Sequence, residues 1–262
     1  MTVSEGFENL EINTAGVPKL EVTLCGTPIV TPRSRSAYRI FGGRTVLQGS
    51  WPWMALLSVH SLGEGNRKAI CGGTILNKEW VVTAAHCVSI RNVVEIIPSP
   101  HYDPKTFDAD IALLKLDTPV AFTKYIRPIC LPLNDNVVTD QEDLAVVVGW
   151  GTTSKRRRSS DVLREAYLPI VNQQTCVASY ERSYVVTDNM FCAGYQTGRF
   201  DSCEGDSGGP LMLQDERSQR YYLYGIVSWG RPGQCAVRDS YGVYVNVSNF
   251  TPWIQEITNI QP

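Results

Sequence analysis

The sequence predicts an all-β fold closed by one C-terminal helix, and three observations carry that prediction. Apolar runs at 53–59, 80–85, 93–97, 144–149, 222–229 and 242–247 are short, and Gly, Pro, Asn and Asp punctuate the chain between them. Only one stretch has convincing helical spacing: Phe250, Trp253, Ile254 and Ile257 share a face, behind Thr251 as a cap and Pro252 at the first helical position. With 262 residues and 43% hydrophobic content, the chain can bury a full core as one large or two small β-rich domains.

Composition narrows the function classes. A formal charge of -2 argues against a nucleic-acid partner, and no apolar run approaches the ~20 residues that a membrane helix needs. Eight cysteines, even in number and without a C-x-x-C pair, read as disulfides instead of zinc ligands, and so point to an oxidising, extracellular compartment. Residues 1–16 hold no apolar signal-peptide core, so we read this N-terminus as incomplete.

Along the chain, residues 1–24 are acidic, mixed and aperiodic, a tail or the remnant of a longer upstream region. Cys25-Gly26 follows, then a segment to Arg39 rich in Pro, Ser and Arg that reads as an exposed linker open to proteolysis. At Arg39-Ile40-Phe41-Gly42-Gly43 the chain changes character and the strand pattern begins. Thr83-Ala84-Ala85-His86-Cys87 ends one strand on a histidine, and Asp108-Ala109-Asp110 opens the strand that runs to Leu116. Lys155-Arg156-Arg157-Arg158 is a basic surface run, suited to a polyanion such as a glycan or lipopolysaccharide, or to ordinary solvation. Asn246-Val247-Ser248 and Asn249-Phe250-Thr251 match the glycosylation triplet, although their position against the final helix argues against both being occupied.

The chemistry centres on Asp201-Ser202-Cys203-Glu204-Gly205-Asp206-Ser207-Gly208-Gly209-Pro210. A serine hydroxyl is a weak nucleophile, so a loop that uses one must present it rigidly and place N–H donors beside it for the oxyanion formed on attack. Gly205, Gly208 and Gly209 permit tight geometry and close approach of a carbonyl. Such a serine also needs a base, and the base needs a buried carboxylate to fix its tautomer; His86 and Asp110 fill those roles beside Ser207. Singly, a strand-end histidine or a pre-strand aspartate has a structural explanation; together with Ser207 they point to nucleophilic catalysis. Asp108 is the weaker substitute for Asp110, and His60 and His101 lack comparable surroundings.

From Ile40 to Ile260 the chain resembles the chymotrypsin-fold, trypsin-like serine protease zymogens, on the runs from Trp80 to Cys87, Asp110 to Leu116, Gly149-Trp150-Gly151, Asp201 to Pro210, Ser228-Trp229-Gly230 and Gly242-Val243-Tyr244. The resemblance implies two six-stranded antiparallel β-barrels with the site between them: residues 1–39 as a pro-segment, 40–135 as the first barrel, and 136–262 as the second barrel with the terminal helix. It implies the triad His86, Asp110 and Ser207, an oxyanion hole from the Gly205 and Ser207 N–H groups, and four disulfides: Cys25 with Cys130, Cys71 with Cys87, Cys176 with Cys192, and Cys203 with Cys235. Cys25 would tether the pro-segment as a light chain after a cut at Arg39-Ile40. The freed Ile40 ammonium would pair with Asp206 and order the pocket.

Specificity follows from the same resemblance. Asp201 would lie at the floor of the primary pocket and pair with a substrate Arg or Lys, with Ser202 as a further acceptor and Ser228, Trp229, Gly230 and Gly242 along the walls. Glu204 would sit on the rim and disfavour acidic substrates. Tyr241 resembles cascade proteases that hold a sodium ion near the pocket; no cofactor is required. Together these features are similar to arthropod clotting and immune-cascade proteases. The partners implied are protein substrates, an upstream activating protease and serpin-type inhibitors.

One departure stands out. Only 23 residues separate His86 from Asp110, a shortfall from the family pattern of about two strands together with the calcium-binding loop of some members. With the run from Val93 to Pro98 read as the strand before the aspartate, the loss falls between about Val88 and Val94. The expectation is a shortened first barrel with unpaired edges, lower stability, a tendency to aggregate and a poorly held His86–Asp110 pair. Two readings follow: a secreted zymogen endopeptidase, or a non-catalytic homologue serving as a binding or regulatory protein. A cytosolic hydrolase is disfavoured by the cysteine pairing.

Overall fold

The computed structural model describes residues 24–32, 43–60, 68–88, 95–132, 144–153, 159–181 and 184–260. Six strands occupy the first half: β1 (Arg44–Thr45), β2 (Met54–His60), β3 (Lys68–Ile75), β4 (Trp80–Thr83), β5 (Glu95–Pro98) and β6 (Ala112–Lys115). Six more follow: β7 (Leu144–Gly149), β8 (Arg164–Val171), β9 (Met190–Ala193), β10 (Pro210–Gln214), β11 (Tyr221–Trp229) and β12 (Gly242–Asn246).

The later strands close on themselves. β8, β7, β10, β11, β12 and β9 pair in that order, and β9 returns to β8 through Ile170↔Ala193 and Val171↔Cys192, completing a six-stranded barrel. Closure leaves no ladder edge inside the ring, and β7 and β10 accordingly read as near-continuous apolar runs buried on both faces. β1 is added outside the ring, antiparallel to the start of β8.

The first sheet has the order β2-β3-β4-β6-β5, every pair antiparallel. Its five strands among the described residues are one short of the six in a complete barrel, where the length deficit predicts a loss of about two. Glu95–Pro98 explains the difference: among the described residues this strand is present and pairs along β6 from Glu95↔Lys115 to Pro98↔Ala112, so one of the two strands the deficit would remove is retained at least in part. β2 and β5 are the sheet's edges.

The two halves share one core. Trp53, Val82, Ile111 and Leu113 of the first half pack with Met212, Leu223 and Ile226 of the second. The fully buried Trp53 donates its indole N–H to the Met212 sulfur, and Trp51 packs edge-on to Tyr221 at 4.9 Å. A second cluster, including Val147, Leu168, Leu211 and Tyr244, fills the closed barrel.

Two helices complete the fold, α1 (Gln173–Tyr180) and α2 (Thr251–Thr258). Thr251 does not cap the C-terminal helix α2 as the sequence suggests. A 3-10 turn, Val247–Phe250, runs directly into α2 (Thr251–Thr258), so Thr251 is already helical and its hydroxyl donates to the Val247 and Pro132 carbonyls. The chain leaves α2 through Asn259 in the left-handed conformation. A helix with no amphipathic signal, Gln173–Tyr180, joins β8 to β9 and is capped by the Asn172 side chain, which accepts from the Gln174 N–H.

Candidate active site

β4 and β6 are direct neighbours, with Thr83 opposite Ala112. The chain leaves β4 into a 3-10 turn, Ala85–Val88, that carries His86, while Asp110 lies two residues ahead of Ala112. The fully buried Asp110 therefore meets His86 twice: Oδ1 accepts the His86 backbone N–H at 2.9 Å, and Oδ2 lies 2.7 Å from Nδ1. Oδ2 also accepts the Ser228 hydroxyl at 2.6 Å. Phe107 packs edge-on against the His86 ring at 5.6 Å. The pair is thus well held, contrary to the expectation from the missing strand. The reason is topological: that strand would lie beyond β5, whereas His86 and Asp110 depend on the intact β4–β6 pairing.

Asp108 is committed elsewhere. Its Oδ1 accepts from Thr187 and Asn189, across to the segment before β9, which leaves Asp110 as the partner of the histidine. His101 is exposed, and the His60 side chain lies outside the described residues.

The serine loop docks on the first sheet. Ser207, half-buried, accepts the Gly72 N–H of β3 on its carbonyl at 2.7 Å, and Gly72 in turn accepts the Thr83 hydroxyl at 2.8 Å. Gly208 has φ +78°, and a Cβ there would fall 2.1 Å from Thr83 Oγ1, so only glycine permits this approach. Within the loop, Asp206 N–H donates to Cys203, Gly209 N–H to Asp206 and Gly208 N–H to Val227, all through backbone carbonyls. Among the described residues, the Gly205 and Ser207 N–H groups donate to no protein acceptor, and Gly205 has φ +96°.

A cavity of about 190 Å³ opens beside Ser207 and is walled by Ser228, Trp229, Gly230 and Gly242. Asp201 and Ser202 lie buried within its lining. Asp201 Oδ2 accepts the Ala236 N–H at 3.1 Å, whereas the buried Oδ1 has no hydrogen-bond partner among the described residues. Loss of water raises this carboxyl from 3.8 to about 7. Gly242 is required at the wall, because a Cβ would lie 2.9 Å from that same Oδ1. Ser202 Oγ pairs with the Tyr244 hydroxyl at 3.0 Å, and Glu204 is exposed on the rim. Tyr241, the residue that suggests a sodium ion, is buried, and its carbonyl accepts the Tyr180 hydroxyl.

Asp206 points away from this cavity into a socket of its own. Gly151 and Cys203 N–H groups donate to it at 2.7 and 2.9 Å, and a Cβ on Gly149 would fall 2.0 Å from its Oδ1. Burial raises it to about 6, and among the described residues it forms no ion pair. Arg39 and Ile40 lie outside the described residues, as do Lys155, Arg156, Arg157 and Arg158.

The four disulfides join Cys25 to Cys130, Cys71 to Cys87, Cys176 to Cys192 and Cys203 to Cys235, the pairs the resemblance implies, and no cysteine is free. Three contacts were not readable from sequence: the Ser228 hydroxyl on Asp110, the Gly72 N–H on Ser207, and the edge of Phe107 on His86. Each joins segments far apart in the chain, and no local motif announces it.

Comparison with known proteins places this geometry in a family. The family model described as Trypsin matches residues 40–254. The chain is 37% identical to clotting factor C of Tachypleus tridentatus over 93% of its own length and 27% of that protein's. It is also 37% identical to coagulation factor IX of Oryctolagus cuniculus, covering 86% of this chain and 87% of the relative. It is 32% identical to serine proteinase stubble of Drosophila melanogaster over 97% of this chain and 36% of the relative. The chain thus spans about a quarter of the clotting factor C it matches. The matched residues contain the His86–Asp110 pair, the serine loop and the cavity above Asp201, and the chain belongs to the trypsin family.

Proposed function

We propose that the chain is the protease unit of a secreted zymogen that hydrolyses peptide bonds after Arg or Lys in a clotting-type or innate-immune cascade. The observation that carries the reading is the sharing of one cavity by Ser207 and the unpartnered Oδ1 of Asp201. A buried carboxylate oxygen with no donor is costly unless a cation completes it, and a guanidinium or ammonium does so while holding the adjoining carbonyl at Ser207. Ser207 attacks that carbonyl, and His86 takes its proton. Asp110 holds the imidazole in the tautomer that accepts at Nε2, and the Gly205 and Ser207 N–H groups stabilise the oxyanion. His86 then returns the proton to the leaving amine, and water repeats the sequence on the acyl-enzyme.

Activation by a cut between Arg39 and Ile40 is part of the proposal. It is supported by the Asp206 socket, a buried carboxylate with two N–H donors and no described cation, and by the Cys25–Cys130 bridge, which would keep residues 1–39 attached. An extracellular location is supported by the complete pairing of the cysteines. The cascade assignment rests on relatives named as clotting factors. No helix among the described residues is long and apolar enough to cross a membrane.

A second reading, a non-catalytic homologue, is favoured by a first sheet of five strands among the described residues. Activation with a trypsin-type protease at Arg39, followed by turnover of a chromogenic arginine peptide beside a Ser207→Ala control, separates the two. Turnover that the control lacks establishes the endopeptidase. Clean cleavage to soluble protein without turnover leaves the binding homologue.

A further inference from the structure

We propose that Arg231 selects substrates carrying an acidic side chain two or three residues before the basic one, an inference that rests on the endopeptidase reading of this cavity. The charged residues lining the cavity are Asp201, Glu204 and Arg231. Arg231 is the lining's one cation: Asp201 lies buried, and the repulsion expected of the exposed Glu204 acts on groups beside the serine loop that carries it, not beside Gly230 and Arg231.

Arg231 is held in place without being neutralised. One terminal nitrogen donates to the Ser179 carbonyl, and the guanidinium lies over the Tyr180 ring, 5.3 Å from its centroid. Its Nε is buried and closed to a ligand, so the donors left for one are on the terminal nitrogens, and no carboxylate among the described residues lies within ion-pair distance of Arg231. A fixed planar fork with unused donor capacity suits a carboxylate, because little of its freedom remains to be lost on binding.

The strand pairing leaves an edge free beside the cavity, and we take the bound peptide to run antiparallel to it. β10 pairs with β11 only as far as Pro210↔Ile226, while β12 continues on the other side to Trp229↔Val243. The β10-facing edge of Ser228, Trp229 and Gly230 therefore has no strand beside it among the described residues. A peptide can add there as an antiparallel strand. With its basic side chain directed at Asp201 near Ser228, the preceding residues run past Trp229 and Gly230 at about 3.3 Å each. They reach Arg231 after two or three steps.

The test uses the activated chain carrying Ser207→Ala and fluorescent peptides ending in arginine, with Glu, Ser or Lys at each of the three preceding positions, measured by anisotropy. Glu should bind about tenfold tighter than Lys at the second or third preceding position, and the preference should shrink at high salt. Arg231→Gln should abolish it, and Arg231→Lys should keep part of it. Equal binding of Glu and Lys peptides to the Ser207→Ala chain overturns the proposal without requiring any Arg231 variant to fold. In parallel, turnover of the Ser-containing peptides by the unsubstituted enzyme reports on the endopeptidase reading. Its failure there, with the binding preference intact, would remove the chemistry and keep the selective role of Arg231.

Discussion

Thr83 in β4 lies opposite Ala112 in β6, and this pairing brings together His86, three residues further on, and Asp110, two residues back. The first sheet can lose a strand beyond β5 without disturbing it. The carboxylate is then fixed by three donors: the His86 backbone, the His86 ring and the Ser228 hydroxyl.

Neutralising that carboxylate should leave the fold and remove the catalysis. Asp110→Asn is expected to lower kcat by about 10⁴, the size seen when this triad position is changed in a trypsin-fold enzyme. Ser228→Ala, which leaves one buried acceptor site unfilled, should cost about 1–3 kcal/mol. Steady-state kinetics and thermal melts on both variants check the two effects, and wild-type turnover from Asp110→Asn would refute the assignment.

Binding of an amidinium in the cavity should depend on pH through Asp201. Its carboxyl is raised to about 7 by burial, and the cation binds the ionised form. Affinity should therefore rise about tenfold per unit as pH climbs towards 7 and level off above it. Titration of a fluorescent benzamidine from acid to neutral pH, with Asp201→Asn as control, reads this out. A flat profile would mean that Asp201 is not the partner.

Stability of the uncleaved chain should fall as pH rises from about 4 to about 7. Asp201 and Asp206 have folded values of about 7 and about 6 against 3.8 in water, so in that window the native state binds more protons than the unfolded state. Each contribution is present below the unfolded value and is lost as pH passes the folded one. Cleavage at Arg39 should flatten the Asp206 part by supplying an ammonium, and Asp206→Asn should flatten it without cleavage. Melting temperatures across this range decide it; identical slopes for wild type and Asp206→Asn would contradict the account.

Gly149→Ala should inactivate by expelling Asp206 from its socket, since the new Cβ would sit 2.0 Å from Oδ1. The overpacking should cost about 1–3 kcal/mol, and turnover after cleavage should be lost by more than the stability change explains. A folded, cleaved and fully active variant would show that Asp206 does not need the socket.

Much of the site was legible because its residues sit in short local motifs. His86 just past a strand, Asp110 just before one and Ser207 among glycines each sit in a local pattern that suits their expected chemistry, and the six apolar runs coincide with strands to within about two residues at their ends. What escaped is non-local. The strand β3 has glycines at 72 and 73 because the serine loop and Val81 press against them, so it lacks the apolar signal of a strand. Helix Gln173–Tyr180 has no apolar face and is held by the Cys176–Cys192 bridge and a side-chain cap. The resilience of the His86–Asp110 pair depended on which strands are neighbours, an order that chain length alone does not reveal.

The segment just after the proposed cleavage point is clamped. Arg44 pairs with the buried Glu165 of β8, whose second oxygen accepts the Trp51 indole N–H at 2.6 Å, and Arg164 donates to the Gly43 carbonyl. A cut before Ile40 would therefore release an ammonium on a leash of residues 40–43, about 13 Å when fully extended. Gly149 at the Asp206 socket pairs with Arg164, which pairs with Thr45, so the socket lies within roughly 10 Å of the clamp, and the new terminus would face Asp206 at an effective concentration of about millimolar order or above. Its capture would be a first-order event, indifferent to how dilute the protein is.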